Sequence, residues 1–135
     1  MMRVLALDVG DKRVGVAISD PSQIIARSLK VIQRGSRRAD FAAVARLVEE
    51  YEVETVVVGH PRSLDGTVGE QAKKVEHYAA GLTEVLAVPV LLWDERFSTV
   101  SADRLMKEAG LRGKKKRERI DAVAAAVILQ DYLDS

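Results

Sequence analysis

The chain has 135 residues, of which 47% are hydrophobic and 30% charged, and its formal net charge is +1. This length suits one compact core, so we expect a single domain over residues 1–135. The composition excludes an intrinsically disordered chain. Because the chain has no cysteine, disulfides, thiolate zinc sites and a cysteine nucleophile are excluded as well. The net charge neither requires nor excludes a nucleic-acid partner.

The opening residues place Asp8 directly after a very short apolar run. That run is too short for a signal-peptide core, and no other stretch is long enough to span a membrane. We therefore expect a cytoplasmic protein.

The first half of the chain predicts a meander followed by a helix and a strand. Two short apolar runs, 4–9 and 14–19, flank a turn at 10–13 and predict two strands. A third strand is predicted over 24–32. Apolar residues then recur at helical spacing from Phe41 to Val48, before the β-branched run 55–58 that ends at Gly59.

The second half alternates helices and strands. A loop at 60–69 precedes a predicted helix over 71–86 and a predicted buried strand over 88–93. A helix over 98–109, a basic loop over 111–119 and an apolar helix over 120–133 follow. The sequence therefore predicts an α/β fold with a five-stranded mixed sheet, antiparallel in its first three strands and then parallel, with helices on both faces. This is the RNase H-like arrangement.

Asp8 lies inside the otherwise apolar first strand. A buried carboxylate there costs several kcal/mol unless a partner compensates the loss of water. We favour a metal ion as that partner. The alternative is that Asp8 accepts hydrogen bonds from the turn at Gly10.

Three more acids adjoin apolar segments. Asp94 and Glu95 come directly after the predicted strand 88–93, at an edge where α/β sheets place their sites. Since successive strand residues point to opposite faces, only one of the two can face a given pocket, and the other can pair with Arg96 or lie exposed. Asp121 opens the predicted apolar helix, where the helix dipole alone would also favour an acid.

Carboxylates from distant segments suit hard divalent cations. Mg²⁺ and Mn²⁺ prefer oxygen ligands, and two such ions about 4 Å apart can stabilise both the attacking and the leaving oxygen of phosphodiester hydrolysis. We therefore interpret Asp8, Glu95 and Asp121 as metal-holding catalytic residues of a nuclease that uses Mg²⁺ or Mn²⁺.

Basic residues cluster in two places. One cluster precedes Asp121, and the other comprises Arg34, Arg37 and Arg38. Either can contact phosphates, although a charge run can also be a solvated loop. The predicted nucleic-acid contacts are Arg13, Arg62, Arg96, Lys114, Lys115, Lys116 and Arg117. Aromatic residues make up only 4% of the chain, which favours recognition of backbone and shape over base stacking.

His60, Asp94 and Thr99 are auxiliary candidates. No serine lies in a nucleophile-elbow motif and the chain has only two histidines, so a catalytic triad is not expected. His60 ends a predicted parallel strand, from which it could contact a phosphate or a water molecule.

Over nearly its whole length the chain resembles the YqgF/RuvX-type family of RNase H-like proteins. The resemblance rests on the segments 5–10, 12–17, 58–61, 94–99 and 120–125, which read LALDVG, KRVGVA, VGHP, DERFST and IDAVAA. It implies an acidic site at Asp8, Glu95 and Asp121, and a role in maturing the 5′ end of precursor 16S rRNA. RNase H and the classical resolvases carry an acid on the fourth strand, where this chain has Gly59, His60 and Pro61, so the resemblance implies that the second carboxylate comes from the fifth strand instead.

Three other functions stay open at this point. Resolution of Holliday junctions in branched DNA would require a homodimer, since two-fold symmetric cutting needs two sites. A phosphotransferase of the actin and sugar-kinase type is suggested by the hairpin 8–15, but one domain supplies only half of that ATP cleft, and the segment does not continue as a P-loop. The chain could also be a nucleic-acid-binding module without catalysis, in which the acids would hold a structural metal.

Overall fold

A computed structural model of the protein describes residues 2–62, 65–95 and 113–135, with side chains described from residue 120 onward in the last range. In chain order its elements are β1 (Arg3–Val9), β2 (Arg13–Ser19), β3 (Ala26–Gln33), α1 (Arg37–Glu50), β4 (Val53–His60), α2 (Glu70–Val85), β5 (Val90–Asp94) and α3 (Gly113–Asp134). None of these helices combines the length and the apolar character needed to cross a membrane.

The strands form one sheet in the order β3-β2-β1-β4-β5. β1 pairs antiparallel with β2, and β2 pairs antiparallel with β3. β4 pairs parallel with both β1 and β5. The predicted mixed sheet, antiparallel first and parallel afterwards, is confirmed.

The two faces of the sheet carry different helices. On one face, Leu5 and Leu7 of β1 pack with Val44 of α1 and Leu82 of α2. On the other face, the alternate residues of β1 pack against α3, whose Ile128 and Leu129 are fully buried. The site described below lies on this second face.

Two strands differ from their prediction. β3 begins at Ala26 rather than at residue 24, because Oδ1 of Asp20 accepts hydrogen bonds from the backbone N–H of Ile24 and Ile25 and holds them in a turn. β5 is an edge strand in which Leu91 and Leu92 are more than 40% exposed, so the prediction of a buried strand over 88–93 was wrong.

The last helix begins earlier than predicted. α3 starts at Gly113, so the basic loop predicted over 111–119 was wrong for residues 113–119. Lysine, arginine and glutamate are good helix formers, and their charge does not end a helix. Asp121 therefore lies in the third turn, where the helix dipole does not explain an acid. The helix predicted over 98–109 falls outside the described residues.

Candidate active site

Asp8 lies next to the last residue of β1, on the face that α3 covers. It follows Val4 and Ala6 in the alternation of the strand, and those two residues pack against α3. Burial, and secondarily the negative charge of Asp121, raise the pKa of Asp8 to about 7. Asp8 is thus a partly buried acid held close to a second acid.

Gly15 brings Asp121 to this place. Gly15 of β2 pairs with Asp8 across the sheet, and a Cβ added to Gly15 would lie 2.0 Å from the carbonyl oxygen of Asp121. The backbone of α3 therefore rests directly on the strand, which only glycine permits at this distance. This contact sets Asp121 beside Asp8.

Glu95 joins the same face from the other side of β4. Its backbone N–H donates to the carbonyl of His60 at 3.2 Å, which fixes the chain just beyond β5. Gly59 of β4 leaves room for the side chain, because a Cβ there would lie 2.5 Å from Oε2 of Glu95. Glu95 is only 5% exposed, and among the described residues its Oε2 has no hydrogen-bond partner.

The ionisation of Glu95 is strongly opposed. Burial raises its pKa to about 8, and the negative charges of Asp8 and then Asp94 add to the effect. Two carboxyl groups with raised pKa values, from distant parts of the chain, therefore face each other under α3. Such an arrangement is typical of functional sites.

Asp94 and Glu95 point to different faces. Asp94 pairs in register with His60, while the preceding pair is Gly59 with Trp93. Trp93 packs on the α3 side of the sheet, so Asp94 lies on the other side. There its carboxylate is 3.9 Å from Nη1 of Arg62. Of Asp94 and Glu95, therefore, Glu95 is the acid that lies on the same face as Asp8.

His60 lies on the face opposite to the acids. Its Nε2 is 3.1 Å from Oε2 of Glu76 on α2, and the residue is buried. The alternation of β4 directs its side chain away from Gly59 and hence from Glu95. This corrects the interpretation of His60 as an auxiliary residue that could contact a phosphate or a water molecule at the site.

Among the side chains that the structure describes, Arg13 is the basic one that pairs with an acid of this site. Its Nε donates to Oδ2 of Asp121 at 2.8 Å, and both side chains are less than a quarter exposed. Arg62 instead donates to the carbonyl of Gly66 and pairs with Asp94, so it holds the loop after β4. Of the seven predicted nucleic-acid contacts, Arg13 and Arg62 have described side chains, and of these two Arg13 lies at the acids.

Other predicted contacts fall where the structure gives no side-chain position. Lys114, Lys115, Lys116 and Arg117 belong to the first turns of α3, but their side chains are not among those described. Arg96 and Thr99 lie outside the described residues.

Asp8, Glu95 and Asp121 offer carboxylate oxygens, which are suitable ligands for a hard cation. In this structure, however, the three side chains are not arranged to hold one ion together. Carboxylate oxygens are the ligands that Mg²⁺ and Mn²⁺ prefer, and the unpartnered Oε2 of Glu95 is a buried acceptor without a donor. In the described part of the chain, however, no three histidine, aspartate or glutamate side chains are close enough to share one metal ion. The carboxylate of Asp121 is turned to Arg13 instead.

Sequence reasoning did not assign a role to Gly15 and Gly59. Both lie inside strands, where a glycine weakens the strand unless a neighbouring group needs its space. That signal was present in the runs RVGVA and VVVGH. The structure shows that each glycine admits one part of the acidic site.

The chain is similar in sequence to one family model and to named proteins over nearly its whole length. The family model described as "RuvX: Holliday junction resolvase" matches residues 2–135. A protein of Thermoanaerobacter pseudethanolicus named "Putative pre-16S rRNA nuclease" is 47% identical over 135 residues, which cover 99% of this chain and 97% of the relative. A protein of the same name from Geobacillus kaustophilus is 46% identical, with 99% of both chains covered.

Solved structures share the fold. The RuvC protein of T. thermophilus in complex with a Holliday junction substrate superposes with a TM-score of 0.58 at 19% identity, over 95% of this chain and 92% of that one. The resolvase of Fowlpox virus, in complex with Holliday junction DNA, gives 0.57 at 15% identity, over 98% and 97%. At these identities the likeness establishes the RNase H-like fold and no more.

Proposed function

This chain belongs to the RuvX family, and we propose that it is a metal-dependent nuclease that hydrolyses phosphodiester bonds at the acidic face under α3. The proposed catalytic and metal-holding residues are Asp8, Glu95 and Asp121. The observation that carries the proposal is Glu95, a 5% exposed carboxyl group whose Oε2 has no partner in the described part of the chain and whose pKa is raised by a second, partly buried acid, Asp8. Without a cation, this pair of acids is costly to the fold.

Asp8 and Glu95 are the groups that would hold Mg²⁺ or Mn²⁺. When bound, such an ion would polarise the phosphoryl group and stabilise negative charge on its oxygens. A cation beside the two acids would also lower their pKa values and keep both ionised at neutral pH. Asp121, now paired with Arg13, lies close enough to Asp8 to raise its pKa and would be the third ligand.

Arg13 would contact the nucleic acid. Its guanidinium lies at the rim of the acidic face, where it offsets the charge of Asp121. If Asp121 turns towards a cation, the guanidinium gains a new anionic neighbour in the phosphate of the substrate, and arginine binds phosphate well because of its planar donor geometry. Lys114, Lys115, Lys116 and Arg117 would extend this contact along the first turns of α3.

The substrate we propose is structured RNA, namely the 5′ region of precursor 16S rRNA, in the bacterial cytoplasm. The names of relatives at 42% to 49% identity support this substrate. A four-way DNA junction is the second candidate, because the family model carries that description and the fold is shared with two junction resolvases. Junction cutting would require a homodimer.

One experiment separates these possibilities. Purified protein is incubated with a precursor 16S rRNA fragment and with a four-way DNA junction of matched concentration, in Mn²⁺, in Mg²⁺ and in chelator. Asp8→Asn is tested beside Asp134→Asn, a matched control on an exposed acid at the far end of α3. We expect metal-dependent cleavage of the RNA by the wild type and by Asp134→Asn, but not by Asp8→Asn.

The other outcomes have distinct meanings. Cleavage of the junction alone would replace the RNA substrate by branched DNA. Binding of either substrate without cleavage by any of the proteins would overturn the catalytic proposal and leave a nucleic-acid-binding module. Cleavage that persists in chelator would overturn the metal requirement.

A further inference from the structure

A cavity of about 400 Å³ lies on the other face of the sheet, between the start of α2, the end of β1 and the segment that leads into α1. This size is within the range of small-molecule sites. Part of its wall is apolar and comes from Val9, Val75 and Tyr78. None of the acids Asp8, Glu95 and Asp121 lines it, so it is separate from the acidic site.

The charged lining of the cavity is mainly basic. Its lysines and arginines are Arg34, Arg37, Lys73 and Lys74, and its acids are Asp11 and Glu70. Asp11 and Lys74 form an ion pair of 3.7 Å in which both side chains are more than half exposed. Such a pair is weak in water, so an anion can compete with Asp11 for the lysine.

Arg34 is fixed in place before any ligand arrives. Its Nη1 donates to the carbonyl of Gly10 at 2.9 Å, and its Nε lies 3.4 Å from the buried carboxylate of Asp40. The guanidinium also lies over the ring of Tyr78, 5.1 Å from its centroid. A donor that is already ordered loses less entropy on binding than a flexible one.

Two other bases are less constrained by acids. Arg37 lies over the ring of Phe41 at 5.8 Å, and both Arg37 and Lys73 are exposed to solvent at the cavity. Neither forms an ion pair within 4 Å among the described contacts. A ligand with negative charge would bring Arg37 and Lys73 a partner within ion-pair distance, which the described residues do not give them.

We propose that this cavity binds the phosphate group of a nucleotide, with Arg34, Arg37 and Lys73 as its contacts and the apolar wall beside the sugar and base. Cationic groups around a preformed guanidinium favour phosphate, and the apolar wall favours more than a bare ion. The nucleotide can be a free molecule, or it can be part of a nucleic-acid strand that continues from the acidic site around the end of β1. The strand alternative rests on the proposed nuclease function, whereas binding of a free nucleotide does not.

The test is isothermal titration calorimetry of the intact protein in the presence of a chelator, which keeps metal ions out of the acidic site. The three probes are inorganic phosphate, AMP and a single-stranded hexanucleotide without terminal phosphates. The variant Arg37→Gln/Lys73→Gln removes two exposed bases of the cavity, and Arg46→Gln is the matched control, since Arg46 lies exposed on α1 away from the cavity lining. Asp8→Asn is titrated in parallel.

We expect AMP to bind at a ratio of one to one, more tightly than inorganic phosphate. The double variant should weaken AMP binding about tenfold or more, as expected for the loss of charge-assisted contacts, while Arg46→Gln and Asp8→Asn bind like the wild type. Tighter binding of the hexanucleotide, with displacement of AMP, would identify a strand as the source, whereas tighter binding of AMP would identify the free nucleotide.

Other results would overturn the proposal. These are the absence of saturable AMP binding by the wild type, or equal AMP affinity in the wild type and the double variant. AMP binding that is retained in a protein that cleaves nothing would overturn the nuclease function alone. Cleavage of nucleic acid by a protein that does not bind AMP would overturn only the proposal that the cavity binds a nucleotide.

Discussion

Replacing Glu95 by glutamine should stabilise the metal-free protein at alkaline pH. An unfolded glutamate loses its proton near the ordinary pKa of 4.5, whereas in the folded protein the pKa of Glu95 is about 8. Between these values the folded state binds more protons than the unfolded state, so the free energy of unfolding falls as the pH rises. Glu95→Gln removes this ionisation, and the difference between variant and wild type should therefore grow over the same pH range.

The size of the effect follows from the shift. A displacement of the Glu95 pKa from 4.5 to about 8 corresponds to about 5 kcal/mol above pH 8. The glutamine amide takes the place of Oε2, which has no partner in the described part of the chain, and burying such a group costs about 1–3 kcal/mol. We therefore expect a net gain of about 2–4 kcal/mol at pH 8.5.

Urea unfolding in chelator at pH 5 and pH 8.5 measures this difference. At pH 8.5 the midpoint of Glu95→Gln should exceed that of the wild type by about 1–2 M urea. At pH 5 most of the wild-type Glu95 keeps its proton while the cost of the buried amide remains, so the midpoint of the variant should lie below that of the wild type by up to about 1 M. Glu84→Gln, on an exposed position of α2, serves as the matched control and should behave like the wild type at both pH values. A gain of equal size at both pH values, or no gain at pH 8.5, would refute the reasoning.

Three further predictions concern the same face. Gly15→Ala should lower the free energy of unfolding by about 3 kcal/mol in urea titrations, because its Cβ would meet the backbone of α3, whereas Gly35→Ala, with open space around it, should change little. Gly59→Ala should displace Glu95 and reduce cleavage at least tenfold while costing less stability than Gly15→Ala, since its Cβ meets only side-chain ends; unchanged cleavage would argue against Glu95 as a ligand. Saturating Mn²⁺ should raise the melting temperature of the wild type by about 5–10 °C but leave that of Asp8→Asn within about 1 °C, and equal shifts in calorimetry would place the ion elsewhere.

The sequence was sufficient to predict the mixed sheet and to select Asp8 as a candidate site residue. The short apolar runs of β1 and β2, with the turn at 10–13 between them, and the β-branched run of β4 predicted those strands. Their connections predicted which pairs are antiparallel and which are parallel. Asp8 was identifiable because one carboxylate interrupts an apolar strand. Both signals depend only on residues close together in the chain, so each can be recognised in a single sequence.

Long-range contacts decided what the sequence left open. Nothing local distinguishes Asp94 from Glu95, since the choice depends on the register of β5 against β4 and on the space at Gly59. An apolar run also looks alike in a central and in an edge strand, which is why the burial of β5 was predicted wrongly. The start of α3 was missed because a basic run was taken as a loop, although such residues favour helix.

The acids of this site are compensated unequally, which bears on where a cation would bind. Asp121 has Arg13 at 2.8 Å, so an intramolecular counter-charge already faces its carboxylate. Asp8 and Glu95 instead have raised pKa values, and in the metal-free fold their mutual repulsion is reduced only if one of them keeps a proton. A divalent cation would therefore bind the pair formed by Asp8 and Glu95 first, and Asp121 would follow only by giving up Arg13. Because that exchange releases a guanidinium beside the cation, metal binding and phosphate binding at Arg13 should reinforce each other.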